Sequence, residues 1–350
     1  MKIAILCDTH FGARSDSPIF MHHFFTFVDT VFFPYLKKHG ITELIHLGDL
    51  MDRRKFVNFA VLHETRKRFI EPLLDNGIHT TLLLGNHDTY FKNTSDINSV
   101  TELFGVHAKS DLFDIIESPC TKTIGGTEFL LLPWINKNNQ EESEECIRTT
   151  SAQIALGHLE LCGYEVLRGI TSDHGLDANI LSKFESVYSG HFHCKHSKGN
   201  VHYLGTPYQI TFGDLNEPKG FHIFDTETRN MEFVPNPNKI FEEIFYNDND
   251  NDYRPTPNFD QYKKCFVRVR VVKKLYPAMF DAFMEGLNAV ETYGVTVIED
   301  KTLGCDVSEE VDISKDTLTL INHEIDQLTL ENPNKLKLIL QNLYTESLFM

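Results

Sequence analysis

Short apolar runs that stop abruptly in polar residues recur along the chain. Leu82–Leu84 empties into Gly85, Asn86, His87 and Asp88, and the same pattern appears in IAILCDTH (Ile3–His10), ELIHLGD (Glu43–Asp49), IALGH (Ile154–His158) and VYSGHFH (Val187–His193). Runs of this length bounded by polar residues read as buried strands. An amide, an imidazole and a carboxylate in succession cannot be buried unpaired without a cost of roughly several kcal/mol. They must therefore meet partners at the strand exits, and five such exits point to one converging site.

Between these runs the period changes. Ile19–Lys38 carries Phe20, Phe24, Phe27, Phe32 and Tyr35 largely on one helical stripe. That stripe packs on a sheet or, being so rich in phenylalanine, forms a dimer interface. A second amphipathic helix is predicted over Ala60–Leu74, closed by Asn76 and Gly77, which suit a left-handed helix terminus. Thr123–Ile124 and Glu128–Leu132 flank Gly125–Gly126 and predict a hairpin. The acidic run Glu141–Glu145 reads as a solvated helix start. Further strands are expected at Val201–Leu204, Gly220–Asp225 and Met231–Val234. Helices early and mostly strands late predict an α/β two-sheet sandwich with helices outside.

Composition shifts after Pro235 and Pro237, and NDNDNDYRPTP (Asn247–Pro257) reads as an exposed acidic turn or linker at a boundary. Beyond it Lys264–Lys273 alternates as a half-solvated strand, followed by a helix over Pro277–Tyr293 and a strand over Val295–Ile298. The expected organisation is a catalytic domain over residues 1–236, a small α+β domain over 237–312 and a helical tail over 313–350. In the tail Leu318, Ile321, Ile325 and Leu328 form one apolar seam; Leu336, Leu340 and Leu343 form another after Pro333. Exposed seams of this kind on an acidic chain call for a partner that buries them.

The net charge of −17 over 350 residues argues against strong unaided nucleic-acid binding, because such proteins usually present a basic face. Bound cations or a basic partner would offset it. No apolar run approaches the roughly 18 to 20 residues of a membrane span, and Met1 leads straight into a strand, so no membrane association and a cytoplasmic location are expected. The seven cysteines contain no CxxC pair and read as reduced thiols, with Cys7 and Cys194 packing beside the site.

The residues at the strand exits suit one chemistry in particular. Hydrolysis of a phosphate ester sets an electron-rich oxygen against an anion, and two divalent ions about 3.5 to 4 Å apart relieve this by activating water and neutralising charge. Such a centre needs a carboxylate able to bridge, with imidazoles and an amide oxygen completing it. Asp8, His10, Asp49, Asn86, His158, His191 and His193 supply that set. Mixed imidazole and carboxylate ligation favours Mn²⁺, Fe or Zn over Mg²⁺, which prefers oxygen; Mn²⁺ is the expected ion, with Mg²⁺ as the alternative. Taken singly, each has a bland reading: a DxH at a strand end is often a turn or cap, and Asn86 tolerates a left-handed turn.

Taken together, DTH, GDLMD, GNHD, GH and GHFH in this order resemble the calcineurin-like metallophosphoesterase superfamily, and within it the SbcD-type nucleases of DNA recombination and repair, including the shorter phage subunits. The resemblance implies a four-layer αββα sandwich with a small capping domain and a tail that docks on an SMC-like ABC ATPase. It implies a homodimer and a DNA nuclease acting as 3′–5′ exonuclease on duplex ends and endonuclease on single strands. Asp8, His10, Asp49 and His193 would hold one ion and Asn86, His158 and His191 the other, with Asp49 bridging. His87 would act at the scissile phosphate, a role that suits an imidazole. Asp88 would orient His87 or cap the next turn. Arg53, Arg54 and Lys55 either contact DNA phosphates or simply solvate the surface. GDLMDRR also resembles the GDxxDRG of protein serine/threonine phosphatases, so a phosphoprotein phosphatase or small-molecule phosphodiesterase is the alternative. Arg54 in place of glycine, GNHD in place of GNHE, and the closing GHFH favour the nuclease branch.

Overall fold

Alternation within the first strand, β1 (Lys2–Leu6), sets the layers: Ala4 and Leu6 join one buried apolar cluster, Ile3 and Ile5 another. In a computed structural model that describes residues 1–107, 111–167, 169–299, Ile325, Leu336, Lys337 and Leu340, the segments 1–299 and 300–350 group as separate units. Leu318, Ile321, Leu328 and Leu343 of the tail seams lie outside the described residues.

In the first sheet β2 (Glu43–His46), β3 (His79–Leu83) and β4 (Phe113–Ile116) follow β1 in parallel, while β13 (Gly220–Asp225) and β14 (Met231–Pro235) extend the other edge antiparallel. In the second sheet β6 (Thr127–Leu132), β7 (Ile154–His158), β10 (Ser186–Gly190) and β12 (Val201–Tyr203) are parallel. Its edges are β5 (Cys120–Ile124) and β11 (His196–Lys198), both antiparallel. A small hairpin of β8 (Glu165–Leu167) and β9 (Ile170–Thr171) stands apart.

The two sheets face each other across Ile3, Ile5, Ile45, Leu83, Phe129, Leu131, Leu156 and Phe224. Outside the first sheet lie the helical segments Pro18–Phe27 and Phe33–His39, then Phe59–Thr65 and Glu71–Asp75. Outside the second lies Gln140–Thr149, anchored by Ile147 against Leu130, Leu132 and Ala155. This is the four-layer αββα sandwich.

The phenylalanine stripe is core: Phe20, Phe24, Phe27 and Phe32 are buried against β1 and β3, together with Phe25 and Phe69, and Tyr35 is half-buried beside them. Both predicted helices are interrupted by single π-helical turns, Val28–Phe32 and Arg66–Ile70. Each directly precedes a proline near the start of the next segment, Pro34 or Pro72. Proline removes an N–H and collides with the carbonyl four residues back, and widening the preceding turn relieves both. Gly77 closes the second helix with φ +64°, and Gly125 and Gly126, both at positive φ, make the predicted hairpin turn.

A third, all-parallel sheet is built from β15 (Phe241–Asn247), β16 (Phe266–Lys273) and β17 (Gly294–Glu299). Val267, Val269 and Val271 of β16 alternate as predicted and pack with Tyr246 against Phe283 and Leu287 of the helix Pro277–Asn288. The sequence pattern does not predict β15, and its presence moves the acidic run: Asn247–Pro257 connects β15 to β16 within this module and is not a linker ahead of it. Asp248 there is buried, accepting the Leu275 and Tyr276 amides at 2.6 and 2.9 Å.

Candidate metal centre

β1, β2 and β3 are parallel, as are β7 and β10, so each sheet delivers its polar exits at the carboxyl ends of its strands, where open α/β sheets place their sites. Turning the chain there requires unusual backbone. Asp8, His10, Asp49 and His191 all have positive φ, which non-glycine residues adopt rarely and mainly at sites the surrounding fold over-determines. Two glycines are required by closeness: a Cβ on Gly85 would stand 2.2 Å from Asp49 Oδ1, and one on Gly48 2.7 Å from His158 Nδ1.

All seven residues singled out from the sequence meet here. His10 Nε2 and His193 Nε2 are 3.0 Å apart, and Asp8, His10 and His193 bring their donor atoms into one group. Asn86 Oδ1 lies 2.8 Å from both His158 Nε2 and His191 Nδ1, and Asp49, His158 and His191 form a second group. Asp49 stands between them, Oδ2 3.6 Å from His10 Nε2 and Oδ1 3.4 Å from His158 Nε2. The His191 amide donates to both oxygens of Asp8 at 3.0 and 3.2 Å, locking the β10 exit to the β1 exit. His158 donates Nδ1–H to the Leu47 carbonyl at 2.8 Å, which fixes the ring and turns Nε2 to the centre.

The electrostatics show a site short of positive charge. Burial pushes His158 down, but Asp49 and Asp8 outweigh it and lift it to about 9. Burial likewise opposes His10, and Asp52, Asp49 and Asp8 raise it to about 9. Burial would raise Asp49 too, yet His158, His87 and His10 hold it well below the carboxylate range. His191 goes the other way, to about 3, through burial and the neighbouring His158. Two buried carboxylates, four histidines and an amide oxygen pointed at common space fit divalent cations, which supply that missing charge without protonating the donors.

His87 forms a third group of donor atoms with His10 and Asp49. Its amide donates to Asp49 Oδ1 at 2.8 Å and its ring Nδ1–H to the Asp52 carbonyl at 2.6 Å, leaving Nε2 free. Its ring meets that of His10 edge-on at 4.8 Å, and burial lowers its pKa. Asp88 takes neither of its two expected roles: its carboxylate accepts the Leu50, Met51 and Gly85 amides at 3.0, 3.1 and 2.8 Å, all upstream of it, and so ties the second motif to the third. His87 is oriented by Asp52 instead.

The three basic residues diverge. Arg53 is paired with Asp16 at 3.3 Å, Lys55 lies 5.5 Å over the Tyr90 ring, and Arg54 lies 5.3 Å over Trp134. Cys7 packs between the sheets with Sγ 3.3 Å from the Gly205 carbonyl, and Cys194 is buried beside Glu217. Sequence reasoning missed Asp52, although it ends the GDLMD motif, and it missed the buried pair Lys219–Asp214, 2.6 Å apart, whose Lys219 donates to the His193 carbonyl at 2.9 Å. Nothing in the local pattern marks that pair.

Fold and site together define a metal-dependent phosphoester hydrolase. The chain belongs to the calcineurin-like phosphoesterase family, whose model matches residues 1–195. It is 34% identical over 316 residues, 89% of each chain, to exonuclease subunit 1 of Enterobacteria phage T4. It is also 24% identical over 265 residues to the SbcD component of nuclease SbcCD from Staphylococcus saprophyticus, and 25% identical over 276 residues to that from Staphylococcus epidermidis. Each of these two alignments covers 67% of this chain and 69% of the relative. Among the described residues no helix is long and apolar enough to cross a membrane.

Proposed function

We propose that this chain is a DNA nuclease that hydrolyses phosphodiesters at a two-ion centre, acting 3′–5′ on duplex ends and as an endonuclease on single strands. The observation that carries this reading is the Asp49 carboxylate, with one oxygen toward His10 and the other toward His158. Asp8, His10, Asp49 and His193 would hold one ion and Asp49, Asn86, His158 and His191 the other. Mn²⁺ suits the donor set best. Bound there, the ions supply charge neutralisation for the phosphate and activation of the attacking water. His87, with Nδ1–H held by Asp52, presents Nε2 for the leaving 3′ oxygen. The names of the three relatives support nuclease action over the phosphatase alternative.

The likeness to the SbcCD nucleases supports an SMC-like ABC ATPase of the SbcC type as partner, with 313–350 docking on it and 237–312 capping the site. A homodimer also fits this reading, through a surface other than the buried phenylalanine stripe. Phe56 and Phe59 are 74% and 86% exposed, and Tyr90, Phe91 and Ile97 are exposed as well. Lys55 lies over Tyr90 and the Tyr90 amide donates to the Ile97 carbonyl, and a second copy could cover apolar side chains left in water here. Action in the host cytoplasm accords with a phage relative.

Degradation of end-labelled duplex DNA with Mn²⁺, by wild type and by His87→Ala, tests the reading when metal content is measured for both. Wild type should cut, and the variant should hold two ions and lose about 10²–10⁴-fold in rate, the usual range for a general acid or base. Turnover of a phosphopeptide with DNA left intact would move the assignment to the phosphatase alternative.

A further inference from the structure

Arg54 differs from its two basic neighbours in what it lacks. Arg53 has Asp16 and Lys55 is exposed to water, whereas Arg54 is half-buried with its guanidinium against Trp134, and its Nη1 is fully buried with no hydrogen-bond partner. Stacking on an aromatic face satisfies the plane of a guanidinium but none of its N–H groups. A buried N–H without an acceptor costs on the order of 1–3 kcal/mol, more when charged, so it calls for an explanation, and a ligand that supplies the acceptor is one.

The surroundings hold Arg54 at the metal centre. Two residues upstream, the Asp52 carbonyl accepts from His87 and the Asp52 amide donates to the Phe11 carbonyl at 3.0 Å. One residue downstream, Lys55 rests over Tyr90. The platform is equally fixed, since the Trp134 amide donates to the Leu84 carbonyl at 2.8 Å, one residue before the GNHD motif. Burial lowers the Arg54 pKa against the pull of Asp49 and Asp88, which places both carboxylates in its field. A cation so built, beside a centre that handles phosphate esters, lacks only an anionic oxygen.

We propose that Arg54, laid on Trp134, is the phosphate-gripping residue of the site, its unpaired Nη1 donating to a phosphoryl oxygen of the ester bound at the metal centre. This rests on the phosphoesterase assignment but not on the choice of DNA as substrate. Arg53 and Lys55 are then surface cations, and the arginine that replaces glycine in the second motif is the functional one.

The test uses metal-loaded protein, inorganic phosphate as competitor and bis(p-nitrophenyl) phosphate as a small diester. Arg54→Met, which keeps the stem over Trp134 and removes the fork, should raise both the phosphate inhibition constant and KM for the diester by tenfold or more. Arg54→Lys should recover part of the loss. A second measurement needs no variant: in wild type, phosphate should shield Arg54 from modification by phenylglyoxal, read by peptide mass spectrometry, while Arg53 continues to react. Constants within twofold of wild type, or equal modification of Arg54 with and without phosphate, would make Arg54 a packing residue and overturn the proposal. Intact DNA alongside normal diester turnover would remove the nuclease reading and leave the role of Arg54 standing.

Discussion

His23 is linked to the centre through one aromatic neighbour. It is buried on the helix Pro18–Phe27, its Nε2 has no hydrogen-bond partner, and its ring lies 6.0 Å from that of Tyr208. Tyr208 in turn donates its hydroxyl to the Thr9 carbonyl at 3.1 Å, between the ligand candidates Asp8 and His10. Burial, with His22 adding to it, holds His23 down to about 4. A histidine depressed in the fold stays neutral there while the unfolded chain takes up the proton near pH 6.5. Stability is therefore full above 6.5 and falls as the pH drops toward 4, by on the order of 2 to 3 kcal/mol from this group. His23→Phe should flatten that part of the curve, as read by urea unfolding at pH 7 and pH 5. An unchanged difference between the two pH values would mean that other groups set the acid limit. At this scale the sequence is candid about the ligands, because polar residues at strand exits have no bland collective explanation. It is silent about His23, whose meaning comes from Tyr208, nearly two hundred positions away.

Elements were legible where one periodicity governed them and obscure where a distant partner did. β1, β2 and β3 are buried on both faces and carry apolar runs, although β3 opens on His79, Thr80 and Thr81, and β16 alternates because only one face is covered. β15, FEEIFYN, shows neither pattern, because parts of both its faces are half-covered. What holds its start is a buried relay. Gln209 Oε1 accepts the Ile240 and Phe241 amides at 2.9 and 3.1 Å, and Gln209 Nε2 donates to the Asp214 carbonyl at 3.2 Å. The Asp214 carboxylate accepts the Ile210 and Thr211 amides at 2.9 and 2.8 Å and pairs with Lys219, which reaches the His193 carbonyl. One polar chain thus joins the third sheet to the GHFH segment. Removing one partner of a buried ion pair strands the other charge, so Lys219→Met should destabilise the fold by about 3–5 kcal/mol. Denaturant unfolding measures this, and a loss under about 1 kcal/mol would mean that the amides alone satisfy Asp214.

Charge decides how the whole molecule meets its substrate. At −17 the chain repels a polyanion over most of its surface; of the cations that follow the second motif, Arg53, Arg54 and Lys55, Arg53 is already paired with Asp16, and Lys219 behind His193 is buried and paired with Asp214. Each phosphate neutralised contributes about −0.9 to the slope of log affinity against log salt on duplex DNA. Three cations at most give a slope no steeper than about −3, and two unpaired ones about −2. Measured by fluorescence anisotropy on a labelled duplex with a divalent ion that does not support cutting, the isolated chain should show such a shallow slope and weak affinity. The slope should steepen when an ATPase partner is added, because the extra phosphate contacts would then come from the partner. A slope of about −6 or beyond for the chain alone would require at least six neutralised phosphates. The DNA path would then have to leave the rim of the centre and run over basic surface elsewhere, and the partner would no longer be needed for grip.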